Sequence, residues 1–263
     1  MSKTLIISHG DKGGCGKSHI AMIVASELSA SLSEILLIDA DPPDNDEGSG
    51  DVASRFASDA FHDHVQTLSI PLTGEHGDSE LRVGEMLDLI EDSSASVVLI
   101  NLPANASQTL EEQGGLLADM VAEFGHRLYV LYSFEPVSSS VSGAVASAEG
   151  AIMGAAERVC LVRNEHFGSV AEYDALIENH PALAGFPRVT VPALGDRGVK
   201  ALKAHPDCDL LMLANDASRG LRWTLRKTLG GYQRRSAEAI FDALAIDLGV
   251  EEDERSPATP EIF

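Results

Sequence analysis

The chain has 263 residues, 44% of them hydrophobic, and a formal net charge of −22. That is enough apolar material for one α/β domain of ordinary core size, no run approaches the ~18 apolar residues of a membrane span, and the overall acidity argues against wrapping nucleic acid. Three cysteines, Cys15, Cys160 and Cys208, are too few and too scattered for a disulfide framework, a Cys-x-x-Cys metal site or an iron–sulfur ligand set.

The opening MSKTLIISHG enters a strand pattern at once, so no signal peptide and a cytoplasmic location are expected. Short β-rich runs then alternate with helical stretches, the pattern of βα units feeding a mainly parallel, doubly wound α/β sheet. Strands are expected near 3–8, 34–38, 65–69, 96–101, 127–132, 158–163 and 186–191. Helices are expected over much of 17–31, 79–92, 107–123, 139–155 and 169–178, then as helical turns around 197–204 and 209–245, with Gly230-Gly231 as a break. A single domain over 1–250 and a disordered, charged tail over 251–263 complete the expected organisation.

Between the first strand and the first helix lies GDKGGCGKS, Gly10 to Ser18, where a phosphate-binding loop has to be. Gly13, Gly14 and Gly16 remove side chains where backbone N–H groups must turn inward around phosphate oxygens. Lys17 adds a point charge, the Ser18 hydroxyl can ligate Mg²⁺, and Cys15 occupies a variable position. The strict pattern G-x-x-x-x-G-K-[ST] is not met, because Asp11 stands at its first Gly, and a second lysine, Lys12, precedes Lys17 by five residues. His9 and His19 bracket the loop as packing or polar contacts rather than catalysts, with His19 kept among the nucleotide-binding positions.

The second strand, ILLIDADPP, delivers Asp39 and Asp41 at its C-terminal end, the side on which ligands sit in open α/β sheets. Period-two geometry would put both side chains on one face. The acidic, proline-broken DADPPDNDEGSGD that follows has the composition of a mobile switch region, whereas Pro71 to Glu80 and the His62-Asp63-His64 group read as plain surface. Further on, VVLINLPAN ends in Asn101, and CLVRNEHFG places Asn164 at a strand end, where an Asn is also an ordinary turn former. Between Arg197 and Arg235 nine basic residues face three acidic ones, a segment charge of +6 that leaves −28 for the rest. Within it Arg219, Arg222 and Arg226 stand at helical spacings, with Lys227, Arg234, Arg235, Trp223 and Tyr232 nearby, so one face could meet DNA or support the core.

The run K-G-G-x-G-K-S resembles the deviant Walker A loop of the ParA/MinD family of P-loop ATPases, and the resemblance extends from about Lys3 to Leu202. It implies that Gly13, Gly14, Cys15, Gly16, Lys17, Ser18 and His19 hold ATP, and that Lys12 reaches across a dimer interface to the phosphates of the other subunit. The second strand resembles the family's D-x-D-P motif, which implies Asp39 near Mg²⁺ and Asp41 positioning the attacking water. The next family motif is a strand ending in Asp-x-Pro; here Asn101 stands in place of that Asp. Asparagine can accept a hydrogen bond from the metal's hydration shell but brings no negative charge, so lowered Mg²⁺ affinity and slow turnover are expected unless Asp39 suffices. The resemblance also implies that Asn164 reads adenine and that backbone around Pro192 flanks the base.

Missing cluster cysteines and an acidic end set the chain apart from the iron-protein and MinD-like branches, leaving ParA-like cargo positioning and TraL-type transfer or stability proteins. The implied function is a Mg²⁺-dependent ATPase that forms a homodimer on ATP and serves plasmid or chromosome partition, plasmid stability or conjugative DNA transfer with a protein partner. Competing readings are a slowly or non-hydrolysing scaffold and a P-loop enzyme acting on a small metabolite, of the dethiobiotin synthetase type.

Overall fold

Runs dense in Ile, Leu and Val build the centre of the molecule. The computed structural model describes residues 2–10, 12–31, 34–41, 52–57, 64–70, 72, 79–104, 106 and 115–246. Its strands are β1 (Thr4–His9), β2 (Ile35–Asp39), β3 (Val65–Ser69), β4 (Val97–Asn101), β5 (Arg127–Ser133), β6 (Arg158–Asn164) and β7 (Arg188–Val191). They form one seven-stranded sheet in the order β3-β2-β4-β1-β5-β6-β7, and every pairing is parallel. All seven expected strands are present, within two residues at each end.

The intervening helices are α1 (Lys17–Ser31), α2 (Val52–Phe56), α3 (Ser79–Asp92), α4 (Gly115–Glu123), α5 (Ser138–Ala148), α6 (Ala151–Ala155), α7 (Val170–Glu178), α8 (Pro181–Ala184), α9 (Asp196–Ala204), α10 (Leu210–Asn215) and α11 (Trp223–Leu244), with a 3₁₀ turn at Ala217–Arg219. Alternate strand residues feed two separate cores, as a sheet buried on both faces requires. Ile6, Leu37, Leu99, Leu131 and Val162 face α1, α2 and the α9–α11 group. Leu5, Ile38, Ile100, Val130 and Leu161 face α3 to α8. The expected doubly wound α/β architecture is therefore the one observed.

Three sequence expectations need correction. Gly230 and Gly231 do not break a helix: α11 is continuous through them, and a Cβ on Gly230 would stand 3.3 Å from the Ala214 Cβ, so the small residue lets α10 lie close. The stretch expected as one helix over 139–155 is two, α5 and α6, separated at Glu149 and Gly150. The third is an omission. Helix α2 begins at Val52, in a stretch for which the sequence pattern predicts no helix and no cap. The expected switch loop from 42 on, most of 71–78, 107–114 and the tail over 251–263 lie outside the described residues.

Candidate functional site

The sheet order reverses beside β1: the chain leaves β1 toward β2 on one side, and leaves β5 toward β6 on the other. In open α/β sheets a crevice opens at the strand C-termini where this happens. The Gly-rich loop lies there, between β1 and α1. Gly10 passes so close to β5 that a Cβ would sit 2.2 Å from the Ser133 carbonyl oxygen. At Gly16 φ is +98, and a Cβ would stand 2.7 Å from Asn164 Nδ2 at the end of β6. Both positions demand glycine, for steric and, at Gly16, conformational reasons.

The two lysines of the loop are placed differently. Lys17 is 4% exposed, with Nζ donating to the Lys12 carbonyl at 3.1 Å, so its ammonium is folded into the loop at the α1 N-terminus. Ser8 Oγ donates to the Lys17 carbonyl at 2.8 Å and ties that first turn to β1. Lys12 is exposed, and its Nζ pairs with the Glu135 carboxylate just past β5 in the same chain. Cys15 is wholly buried and burial pushes its thiol pKa up, so it is a packing residue of the loop rather than a nucleophile. Gly13, Gly14 and Ser18 are also exposed or nearly so at this edge, as an anion cradle at a helix N-terminus requires.

Beside the loop, Asp39 and Asn101 stand in register at the ends of adjacent strands and neither is accessible to solvent. Asn101 Nδ2 donates to Asp39 Oδ1 at 2.8 Å and lies 3.3 Å from Ser18 Oγ. The other Asp39 oxygen accepts from the backbone N–H groups of Val52, at 2.6 Å, and Ala53, at 3.2 Å. Thus the carboxylate caps α2 from 13 residues upstream in sequence. Asp41 lies beyond the end of β2, so strand alternation does not align its side chain with that of Asp39; its backbone N–H donates to Asp39 Oδ1 at 3.2 Å.

A hydrated Mg²⁺ fits this donor set. Ser18 offers a hydroxyl at the loop, Asp39 a charge behind it, and Asn101 Oδ1 is a buried acceptor with no hydrogen-bond donor among the described residues, suited to a water of the metal's shell. Among the described residues no group of three or more His, Cys, Asp or Glu side chains forms an all-protein metal cage. His64 instead contacts Ser29, at 2.7 Å to its carbonyl; His62 and Asp63 lie outside the described residues. His9 packs edge-on against Tyr132, with ring centroids 5.1 Å apart.

Next to the loop opens a cavity of about 370 Å³, walled by Gly16, His19, Asn164, Phe167, Leu194 and Tyr232. That size suits a nucleoside. Asn164 Oδ1 accepts from the His166 N–H at 3.0 Å, which leaves its Nδ2 as the donor beside the loop. The Tyr173 hydroxyl bridges the carbonyls of Phe134, at 3.0 Å, and Asn164, at 3.2 Å, locking the ends of β5 and β6 together. The turn after β7 contributes Leu194 to the wall, whereas Pro192 is not among the lining residues. His19 Nε2 is 2.7 Å from the Tyr232 hydroxyl, and burial, with His166 and Arg55 adding to it, lowers the His19 pKa to about 4. Arg55 of α2 also lines the cavity, while its guanidinium donates to the carbonyls of His205, at 3.2 Å, and Cys208, at 2.6 Å. Phe167, Tyr173, Leu194 and Arg55 are not singled out by the sequence; of the four, Phe167 alone falls in a quoted stretch, CLVRNEHFG, three residues after Asn164.

The basic segment does not form the expected face. Arg219 lies in the 3₁₀ turn and is paired with Asp207, at 2.7 Å, and Asp216, at 3.3 Å. Arg222 is the residue before α11, Arg226 donates to the Asn215 carbonyl at 3.3 Å, and Tyr232 is buried against His19. Arg222, Trp223, Lys227, Arg234 and Arg235 are exposed. No helix among the described residues is long and apolar enough to cross a membrane.

No family model matches the chain. In sequence it is 26% identical to protein MobD of Acidithiobacillus ferrooxidans over 207 residues, covering 75% of this chain and 81% of that protein. In structure it is similar to a ParA family ATPase of Chlorobium tepidum TLS, with a TM-score of 0.54 at 16% identity over 93% of this chain and 98% of the other. It is also similar to apo McdA of Cyanthece, with a TM-score of 0.52 at 17% identity, covering 93% of this chain and all of that one. The fold is thus the P-loop NTPase fold found in ParA-type ATPases.

Proposed function

We propose that the chain is an ATP-binding switch of the ParA/MinD type whose slow hydrolysis of ATP requires Mg²⁺, and that it works in plasmid or chromosome partition, plasmid stability or conjugative DNA transfer. The observation that carries this reading is the contrast between the two loop lysines. Lys17 is buried at the α1 N-terminus, where a triphosphate tail meets backbone N–H groups, and Lys12 is exposed beside it.

In this reading the amides of Gly13 to Ser18 and the Lys17 ammonium bind the phosphates, and Ser18, Asp39 and Asn101 hold the hydrated metal. Bound there, Mg²⁺ would neutralise charge on the phosphate oxygens. Asp41 orients the attacking water, and Lys12 leaves Glu135 to reach the nucleotide of a second copy, so that ATP favours a homodimer and hydrolysis resets it. The cavity beyond Gly16 takes the base, with Asn164 Nδ2 donating to an acceptor on its edge. The buried, neutral Asn101 also supports a second reading, a scaffold that binds ATP and a protein partner with little or no turnover; single-turnover hydrolysis separates the two.

The deciding experiment is light scattering with and without ATP. Wild type is expected to double in mass with ATP. The Lys12→Ala variant is expected to bind nucleotide within about 3-fold of wild type, as a residue outside the cradle should, yet to stay monomeric. A persistent ATP-dependent dimer in that variant removes the cross-subunit role. If DNA is a partner, the contact runs through Arg222, Lys227, Arg234 and Arg235. Its affinity should then fall steeply between 50 and 200 mM salt, by roughly 10-fold or more for a few phosphate contacts, and a flat salt response removes DNA from the reading.

A further inference from the structure

Asp39 is satisfied without a cation. Among the described residues its two oxygens accept from four N–H groups, those of Asn101 Nδ2, Asp41, Val52 and Ala53, enough to occupy the roughly four lone-pair positions a carboxylate offers. The orientation of the Asn101 amide follows from this, because an ionised carboxylate can only accept and so must face the NH₂ end. The same NH₂ lies 3.3 Å from Ser18 Oγ. One neutral side chain therefore links the helix-capping carboxylate on β2 to the loop hydroxyl on α1. A carboxylate at position 101 would place a second anion about 2.8 Å from the first, where neither is exposed. Two such groups cannot both stay ionised unless a cation lies between them.

We propose that Asn101 is a positioning residue that takes over the structural task of a divalent cation, so that nucleotide binding by this chain depends only weakly on Mg²⁺. The inference rests on the nucleotide-binding reading above. The amide keeps Asp39 and Ser18 in register whether or not metal is present. It also withholds one negative charge from the neighbourhood of the phosphates, which reduces the repulsion that Mg²⁺ would otherwise have to screen.

The test is calorimetric titration of the full chain with ATP, in saturating Mg²⁺ and in EDTA, for wild type and Asn101→Asp. Wild-type Kd should change by less than about 5-fold between the two media, whereas the variant, carrying one more buried anion, should lose about 50-fold or more in EDTA and recover most of it with Mg²⁺. A wild type that loses binding in EDTA as severely as the variant overturns the proposal. Thermal melting with Mg²⁺ alone gives a readout independent of nucleotide. The variant should gain about 3 °C or more from millimolar Mg²⁺ while wild type gains nothing measurable, and an equal gain in both overturns the proposal. Should Asn101→Asp fail to fold in any medium, the wild-type titration decides alone. If ATP binds in neither medium, it is the nucleotide reading that fails, and the melting comparison still decides the role of Asn101.

Discussion

The proposed phosphate end of the site and its proposed base end share one sheet edge, and they are assembled differently. At the phosphate end, the short stretch joining β1 to the first turn of α1 supplies the glycines, the folded-in Lys17 and the Ser18 hydroxyl. At the base end, Gly16 and His19 meet Asn164 and Phe167 from the end of β6, Leu194 from the turn after β7 and Tyr232 from α11. The first is a local device whose backbone geometry its own sequence dictates. The second exists only when four distant parts of the chain have packed. A single substitution should therefore act as a loss of binding at one end and as a loss of shape or stability at the other.

The largest effect is expected from Lys17→Ala. If Lys17 meets phosphate as proposed, removing its buried ammonium costs about 3 kcal/mol, the upper range for a charged hydrogen bond, which is about 100-fold or more in nucleotide affinity by calorimetry. Unchanged affinity would dismantle the phosphate end as described. Gly16→Ala tests whether the two ends are one object, because its Cβ would stand 2.7 Å from Asn164 Nδ2 and its φ is +98. Strain of about 1–3 kcal/mol is expected, seen both as a lower melting temperature and as weaker binding; loss of binding with an unchanged melt would mean that Gly16 serves the loop alone.

A smaller and purely thermodynamic signature belongs to His19 at the base end. Its pKa is about 4 in the folded protein against 6.5 for the free side chain, so below pH 6.5 the unfolded chain binds the proton more readily. The stability due to neutral His19 is present above pH 6.5 and is lost as pH falls from there toward 4, by about 3 kcal/mol at most. His19→Gln should flatten that part of the stability curve measured by urea unfolding from pH 7 to 4. Parallel curves for the two proteins would show that His19 is solvated rather than held against Tyr232.

The same contrast explains what was legible in the sequence. Strand positions and the long helices α1 and α3 follow from hydrophobic patterning over short windows, and the loop from its glycines. Asp39 was recognisable as a strand-end carboxylate, but its use as a cap for α2 was not, because the helix it caps begins 13 residues later and capping patterns are read over three or four. The Arg219, Arg222, Arg226 face failed for a related reason. Helical spacing presumes a continuous helix, and the turn at Gly220, with φ +74, separates Arg219 from the start of α11. Tyr232 looked like a companion for nucleic acid because its sequence neighbours are basic, yet it points into the core against His19.

Helix α1 carries a consequence for the whole molecule. Ile20 to Ala25 and Leu28 are nearly inaccessible all round, since the sheet lies on one side of the helix and α11 on the other, where Gln233 donates to the Ile23 carbonyl at 2.8 Å. The cradle is thus mounted on the keel of the structure, not on a flap at its rim. Backbone amides along that keel should be among the slowest to exchange with deuterium, and a ligand seated at its tip should delay global opening rather than quieten one loop.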